Sequence, residues 1–124
     1  MGKARKKEIV LIKKWHDTST QMVQLGRHHW SVARLIELSK DLPVMKIPLM
    51  HLNMTDQYKS LNLREMCTHI EAVLEADLSY PIILDEDGEI LDGRHRIMKA
   101  LIDRAETIKA VRFLENPSPC RVDD

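Results

Sequence analysis

A strand–turn–strand–helix pattern in residues 81–105 constrains the fold of this 124-residue chain more than any other feature. An apolar strand, residues 82–84, and a returning strand, Glu89-Ile90-Leu91, flank the sequence Asp-Glu-Asp-Gly, which is typical of a tight turn. Asp92 and Gly93 follow at once and begin a predicted helix, whose apolar stripe is formed by Ile97, Met98, Leu101, Ile102 and Ala105. We therefore expect a β-hairpin that leads directly into a helix.

Two further helices are predicted upstream from their N-caps. Ser31 suits an N-cap, and the apolar residues after it recur at helical spacing until the chain approaches Pro43. Asn62 suits a second N-cap, with Glu65 as its capping-box partner. That helix should run to about Ala76 and bury one face, made of Leu63, Met66, Ile70, Val73 and Leu74.

The remaining segments predict short strands and irregular structure. Residues 9–12, 47–52 and 108–114 are runs of strand length and composition. Residues 17–30 are polar and interrupted by a glycine, which predicts a loop or irregular segment, and the two prolines after residue 116 are expected to end the ordered structure. The chain therefore predicts a small single-domain α+β fold, with a mixed sheet and three helices.

Composition narrows the classes of function. The net charge is zero, which removes the usual electrostatic argument for a nucleic-acid-binding protein, and 4% aromatic residues are too few for a base-stacking platform. The first fourteen residues carry six Lys or Arg against one acid, so a solvated tail and a basic arm that touches nucleic acid or acidic partners both stay open.

The cysteines and the apolar runs point to an expected compartment. Cys67 and Cys120 are too isolated for a metal knuckle or a disulfide framework. No run approaches the length of a membrane span, and the run at residues 9–12 is too short for a signal peptide. We therefore expect a cytoplasmic protein with reduced thiols.

The junction Asp92-Gly93-Arg94-His95-Arg96 is the strongest candidate for a functional site. A helix N-terminus exposes unpaired backbone N–H groups and a partial positive charge, and Gly93 lets the backbone come close to a bound anion. Arg94 and Arg96 add guanidinium groups that suit phosphate oxygens, and His95 can donate a hydrogen bond. Two arginines at a helix N-terminus oppose the usual preference for acids there, which favours a negative ligand. The junction therefore predicts a site for phosphate or another anion.

Other interpretations of this junction stay open. Asp92 would repel an anion, so we expect it either to cap the helix or to hold a divalent metal that bridges to phosphate. Asp-Gly before a helix is also an ordinary turn, and basic residues often decorate an exposed first turn. From the residues alone, the anion site and the ordinary turn are both consistent with the pattern.

The six histidines show no spacing typical of a metal site, so scattered surface or core histidines are expected. Folding can still bring another histidine next to His95. Trp30 is expected to be a core anchor that ties the N-terminal segment to the sheet. If that segment lies over the third helix, His28 or His29 reaches the anion site. The carboxylates of the hairpin turn are expected to serve the turn and not acid–base catalysis.

Residues 80–84, residues 90–96 with the helix after them, and the ending at residues 106–111 resemble the ParB/sulfiredoxin superfamily, in particular its ParB-like N-terminal nucleotide-binding domain. The strand at 47–52 and the helix capped by Asn62 stand where that superfamily has its first strand and helix. This resemblance divides the chain into an N-terminal extension with one helix at 1–44, a core at 45–115 and a tail at 116–124.

The resemblance implies nucleotide binding. In ParB proteins a Gly-Glu-Arg-Arg box at this junction holds CTP phosphates, and in sulfiredoxins a Gly-Cys-His-Arg box binds ATP. Gly93, His95 and Arg96 match one or both boxes by position. Arg94 stands where sulfiredoxin has its catalytic cysteine, so reductase chemistry is not expected. The tail is too short for the helix-turn-helix and dimerisation domains of ParB, so sequence-specific DNA clamping is not expected either.

Together these observations predict a small nucleotide- or phosphate-binding protein of ParB/sulfiredoxin type. The cofactor-binding residues are Gly93, Arg94, His95 and Arg96, and the expected ligand is CTP or ATP with Mg²⁺. If the protein is an enzyme, we expect phosphoryl or phosphodiester hydrolysis, with His95 as acid or base and Asp92 as metal ligand. The alternative is a non-catalytic module that keeps the fold without the ligand and binds a protein or a nucleic acid such as DNA. A homodimer stays open, and no membrane contact is expected.

Overall fold

Two β-sheets and three helices make up the part of the chain that the computed structural model describes, residues 21–55 and 60–124. In chain order the elements are β1 (Met22–Leu25), β2 (His28–Ser31), α1 (Val32–Ser39), β3 (Met45–Pro48), a 3-10 helix (Leu49–His51), α2 (Leu63–Glu75), β4 (Ile82–Leu84), β5 (Ile90–Asp92), α3 (Arg94–Ile102), β6 (Thr107–Arg112) and β7 (Arg121–Val122). The predicted α+β class is confirmed, but two sheets stand where one was expected. The predicted strand at 9–12 and the basic arm lie outside the described residues. No described helix combines the length and the apolar character needed to cross a membrane.

A four-stranded mixed sheet, in the order β3-β6-β4-β5, positions the candidate site. β4 and β5 pair antiparallel across the tight turn, and β6 returns parallel to β4 after α3. The predicted hairpin that leads into a helix is therefore confirmed. The buried Asp85 carboxylate accepts hydrogen bonds from the backbone N–H groups of Asp87 and Glu89, both at 2.8 Å, so it serves the turn as expected.

β1 and β2 form an antiparallel hairpin over residues 22–31, although the sequence predicts a loop for residues 17–30. That prediction is wrong because Val23 and Trp30, cross-strand partners, turn inward, while Met22 and Gln24 stay exposed. Alternate burial of this kind is what a half-buried strand requires, and polar outward positions do not prevent it. The polar composition of this segment therefore led to the wrong prediction of a loop where two strands form.

β7 completes the second sheet by pairing with the other edge of β2. The expectation that Pro117 and Pro119 end the ordered structure is wrong. The backbone N–H of Cys120 donates to the His29 carbonyl at 2.7 Å, and the Trp30 Nε1–H donates to the Pro117 carbonyl at 2.9 Å. Buried backbone and indole groups need hydrogen-bond partners, and the tail supplies them.

Two apolar clusters lie on opposite faces of the four-stranded sheet. Ile82 and Leu84 of β4 pack in the cluster that contains Ile97 of α3, whereas Ile83 packs with β1, β2 and α1. Successive residues of a strand point to opposite faces, so β4 is buried on both. Trp30, only 3% exposed, belongs to the second cluster, which confirms its predicted role as a core anchor.

The predicted N-caps are confirmed, and one predicted strand is displaced. The Ser31 hydroxyl accepts from the first turn of α1, and Asn62 and Glu65 form both bonds of a capping box at the start of α2. The strand expected at residues 47–52 begins earlier and stops at Pro48, after which the chain forms the 3-10 helix. β3 is an edge strand, the position where a proline is tolerated.

The predicted buried face of α2 is wrong. Of its five apolar residues only Val73 is buried, whereas Leu63, Met66, Ile70 and Leu74 are 86%, 45%, 50% and 67% exposed. On α3 the predicted stripe is also only partly buried, because Ile97 lies in the core while Leu101 and Ile102 are exposed. Helical periodicity identifies an apolar face, but it does not say whether the same chain covers that face.

Candidate functional site

Gly93 makes the change of direction from β5 into α3. Its φ of 110° lies in the left-handed region, and a Cβ at this position would come within 2.4 Å of Ile82 Cγ2. Glycine is therefore the residue that fits here without displacing β4. Since Gly93 is the N-cap and has no side chain, it cannot cap the first-turn N–H groups of α3.

The five residues of the predicted site, Asp92, Gly93, Arg94, His95 and Arg96, all line one open cleft of about 1300 Å³. Its other walls come from β1, α1 and the C-terminal half of α2. Pockets for small molecules usually measure roughly 300–1,000 Å³, so the cleft is large enough for a nucleotide. The junction therefore faces open space and is not packed shut.

The two arginines of the junction make hydrogen bonds within the fold. Arg94 Nη2 donates to the Ile90 carbonyl at 3.2 Å. Arg96 donates through Nη1 to the Pro81 carbonyl, and its Nη2 lies 3.3 Å from Asp92 Oδ2. Asp92 therefore pairs with Arg96 and is not the N-cap of α3. Asp92 therefore already offsets part of the positive charge of Arg96, which the sequence suggested for binding an anion.

His69 of α2 is a site residue that sequence reasoning did not name. Its Nδ1 lies 3.0 Å from Nε2 of His95, and the two rings are tilted by 52° with centroids 5.3 Å apart. His69 precedes the buried Val73 by one helical turn, so it lies on the side of α2 that faces the protein. That spacing was the available signal, and the sequence left open only that some histidine would come to His95.

The pKa of His95 is lowered from the ordinary value of 6.5. Burial of the ring is the largest cause, and electrostatic interactions with His69 and with Arg96 act in the same direction, while Asp92 acts against them. The neutral imidazole is therefore favoured at neutral pH. A neutral ring can accept a proton through one nitrogen and donate a hydrogen bond through the other.

Acidic and basic side chains both line the cleft. Asp92 contributes one carboxylate, and α2 with the loop after it contributes Glu71, Glu75 and Asp77. The fixed positive charges are those of Lys40, Arg94 and Arg96. The cleft thus carries both signs of charge and is not a uniformly positive surface. Among the described residues, no group of three His, Cys, Asp or Glu side chains is arranged to hold a metal ion.

His28 and His29 do not line the cleft, so the structure does not bring them to the candidate site. His29 Nε2 instead lies 3.0 Å from Asp123 Oδ1, and Arg121 Nη2 lies 3.1 Å from the same ring nitrogen. These contacts hold the C-terminal tail against β2. His29 is therefore a structural residue of the sheet formed by β1, β2 and β7.

Comparisons of the chain with models of known protein families, with curated proteins and with solved structures find no match. Any functional assignment therefore depends on the residues and geometry of the cleft.

Proposed function

We propose that this protein binds a nucleotide or another phosphate-containing ligand in the manner of ParB/sulfiredoxin proteins, with a phosphate at the N-terminus of α3. The observation that carries the proposal is the position of Gly93. It begins α3 without a side-chain cap, at a point where the backbone faces an open cleft beside Arg94 and His95. Backbone N–H groups and the helix dipole at such a position favour an anion.

The four junction residues have different roles in this proposal. Gly93 leaves the first-turn N–H groups of α3 without a side-chain cap, so that they can bind the phosphate, and Arg94 supplies charge from the first residue of α3. Arg96 acts chiefly by positioning, because its contacts with the Pro81 carbonyl and Asp92 fix the strand-to-helix junction. His95 gives a hydrogen bond to a phosphate oxygen or acts as a base, because its lowered pKa keeps the ring in the neutral form that has a basic nitrogen.

The mixed charge of the cleft favours CTP or ATP accompanied by Mg²⁺ over a bare phosphate. Asp92 and the three acids of α2 and the loop after it would repel phosphate oxygens unless a cation lay between them. Mg²⁺ bound to such phosphates would neutralise charge and orient the transferred group. If the ligand is hydrolysed, His95 takes a proton from the attacking water while the bond from phosphorus to the leaving oxygen breaks.

Thermal unfolding with CTP, ATP or inorganic phosphate, each with and without Mg²⁺, tests the proposal. A ligand at about 100 times its Kd should stabilise the protein by roughly 2.7 kcal/mol. Arg94→Ala should lose most of that stabilisation, whereas Arg112→Ala, which removes an exposed arginine of β6 outside the cleft, should keep it. Absence of a shift with every ligand would refute the proposal. Turnover that disappears in His95→Ala while nucleotide binding persists would identify an enzyme.

A second function, as a non-catalytic interaction module, is favoured by one observation. Four apolar residues of α2 are exposed along a single face, which is unusual for a helix of a monomeric protein. This function and ligand binding are compatible, because the face is distinct from the junction at α3. The thermal-shift series separates them, since an interaction module without a ligand gives no nucleotide-dependent stabilisation.

A further inference from the structure

Two lysines stand directly opposite each other on the four-stranded sheet that forms part of the cleft. Lys46 of β3 and Lys109 of β6 are antiparallel partners, and both side chains are exposed. Residues directly opposite each other in a sheet have Cβ atoms about 4.5–5.5 Å apart, and like charges there destabilise the pair. Within residues 21–55 and 60–124, neither lysine forms an ion pair that offsets this repulsion. The sheet therefore carries an uncompensated positive charge at this place.

The two lysines lie on the face of the sheet that borders the cleft. Val111 lines the cleft, and Lys109 precedes it by two residues in β6, so the two side chains point to the same face at a spacing of roughly 7 Å. Pro81, another residue of the cleft, lies beside Lys109, because the residues that follow them, Ile82 and Ala110, are partners in parallel strands. A row of positive charge therefore leads from the cleft across β6 to β3.

The acids of the cleft lie away from this row. β3, β4 and β6 contain no acidic residue. The acidic residues that line the cleft belong to β5, to α2 and to the loop after α2. A chain of phosphates is therefore repelled on the α2 side and attracted on the β6 side. The net charge of zero over the whole chain does not reveal this local separation of charge.

Tyr80 is an exposed aromatic residue of the cleft. The other described Trp, Tyr and Phe residues, Trp30 and Phe113, are 3% and 6% exposed, whereas Tyr80 is 64% exposed and lines the cleft. Its backbone lies within roughly 7 Å of that of Ile82, whose side chain packs against Gly93 at the start of α3. One ring is too few for a platform of stacked bases, but it can stack on one base. A positive groove with an exposed ring is how proteins hold single strands of nucleic acid.

We propose that the ligand of the cleft is a single-stranded nucleic acid. One phosphate lies at the N-terminus of α3, the phosphates that follow lie beside Lys109 and Lys46, and a base stacks on Tyr80. The inference rests on the proposed function, because it keeps the same phosphate site and adds the path of the chain attached to that phosphate. Cations in a row suit the successive phosphates of a strand. Stacking tolerates every base, so binding is independent of sequence.

Fluorescence anisotropy of the full chain with a labelled oligothymidylate or oligouridylate of about eight nucleotides tests the inference. The oligomer should bind more tightly than CTP or ATP, and the comparison of the two oligomers shows whether the strand is DNA or RNA. Lys46→Gln and Lys109→Gln should each reduce the slope of log Kd against log salt by about 0.7, because each removes one phosphate contact. Arg112→Gln is the matched control, since Arg112 is an exposed cation of β6 on the opposite face from Lys109, and it should keep the wild-type slope.

Two further measurements separate loss of binding from loss of folding. Lys46→Gln and Lys109→Gln each relieve a repulsion, so the Tm without ligand should stay the same or rise. Tyr80→Ala should weaken oligomer binding about tenfold without changing the salt slope, because it removes stacking and no charge. Tyr80→Phe keeps a ring and should bind as the wild type does.

Two results would overturn the inference. If the oligomer binds no more tightly than CTP or ATP, the ligand is a mononucleotide, and the proposed function stands without this extension. If both lysine variants keep the wild-type salt slope, the strand is held elsewhere, and the six Lys or Arg of residues 1–14 become the candidates. Absence of binding by every oligomer and mononucleotide would refute the inference together with the proposed function.

Discussion

The β4–β5–α3 unit and the β1–β2–β7 sheet differ in how far apart in the sequence the residues that specify them lie. In the first, a tight turn, two short apolar strands and a glycine at the helix start follow one another along the chain, and each local signal agrees with the next. In the second, β2 pairs with a two-residue strand about ninety residues further on. Signals between residues a few positions apart identify the β4–β5–α3 unit from the sequence. The β1–β2–β7 sheet becomes apparent only in the folded chain, where β7 lies beside β2.

The largest effect is expected for Trp30→Ala, which tests whether the two regions are energetically separate. Trp30 packs in the same cluster as Ile83 and Leu91 of the hairpin, and its indole N–H bonds the tail. Loss of this side chain should cost about 3–5 kcal/mol of unfolding free energy, measured in urea. Native-state hydrogen exchange should show the loss in β4 and β5 as well as in β2. If β4 and β5 instead keep their full protection from hydrogen exchange, the two regions are energetically independent.

Gly93→Ala tests the local unit at its most constrained residue. The added Cβ meets Ile82 at 2.4 Å, and the backbone stays at positive φ, so we expect a loss of about 3 kcal/mol in unfolding free energy. Gly88→Ala is the matched control, because Gly88 also has positive φ but no atom within 4 Å of an added Cβ. It should cost only about 1 kcal/mol. Equal losses at the two glycines would mean that the contact with Ile82 contributes nothing.

Asp85→Ala tests the turn that connects the two strands of the unit. The buried carboxylate accepts two backbone hydrogen bonds, so its removal should cost about 2 kcal/mol by leaving both donors without this partner. Asp87→Ala removes the exposed carboxylate of the same turn and should change the unfolding free energy by less than about 0.5 kcal/mol. Chemical denaturation of the two variants side by side measures the difference.

What the sequence could predict follows the same division between local and distant contacts. The two N-caps, the capping box of α2, the hairpin and the start of α3 depend on residues a few positions apart, and these predictions are confirmed. The tail strand, the contact of His69 with His95 and the pairing of Arg96 with Asp92 depend on side-chain placement in the folded chain. The exposure of α2 was missed because an amphipathic pattern is the same whether its apolar face meets a core or a partner.

Acid sensitivity should separate the two regions by pH range, with effects smaller than those of the core and turn substitutions. His95 on α3 has a folded-state pKa below 6.5, so the unfolded chain takes up a proton first as the pH falls. Its neutral form is favoured in the fold, and stability should therefore decline as the pH drops below about 6.5. The pKa of Asp123 in the tail is lowered first by its hydrogen bond with His29 and then by the charges of His29 and Arg121. Its contribution should persist until the pH falls below about 3.8.

A plot of the Tm against pH, measured between pH 7.5 and pH 3, should thus show two separate changes of slope. His95→Gln should remove the change that begins below about pH 6.5 and leave the one at lower pH, whereas Asp123→Asn should do the reverse. Both side chains are partly open to solvent, so solvent screening keeps each effect to a small shift in Tm. If His95→Gln leaves the upper range as steep as the wild type, the lowered pKa of His95 does not cause the loss of stability there. The acid response of the local unit would then need another source.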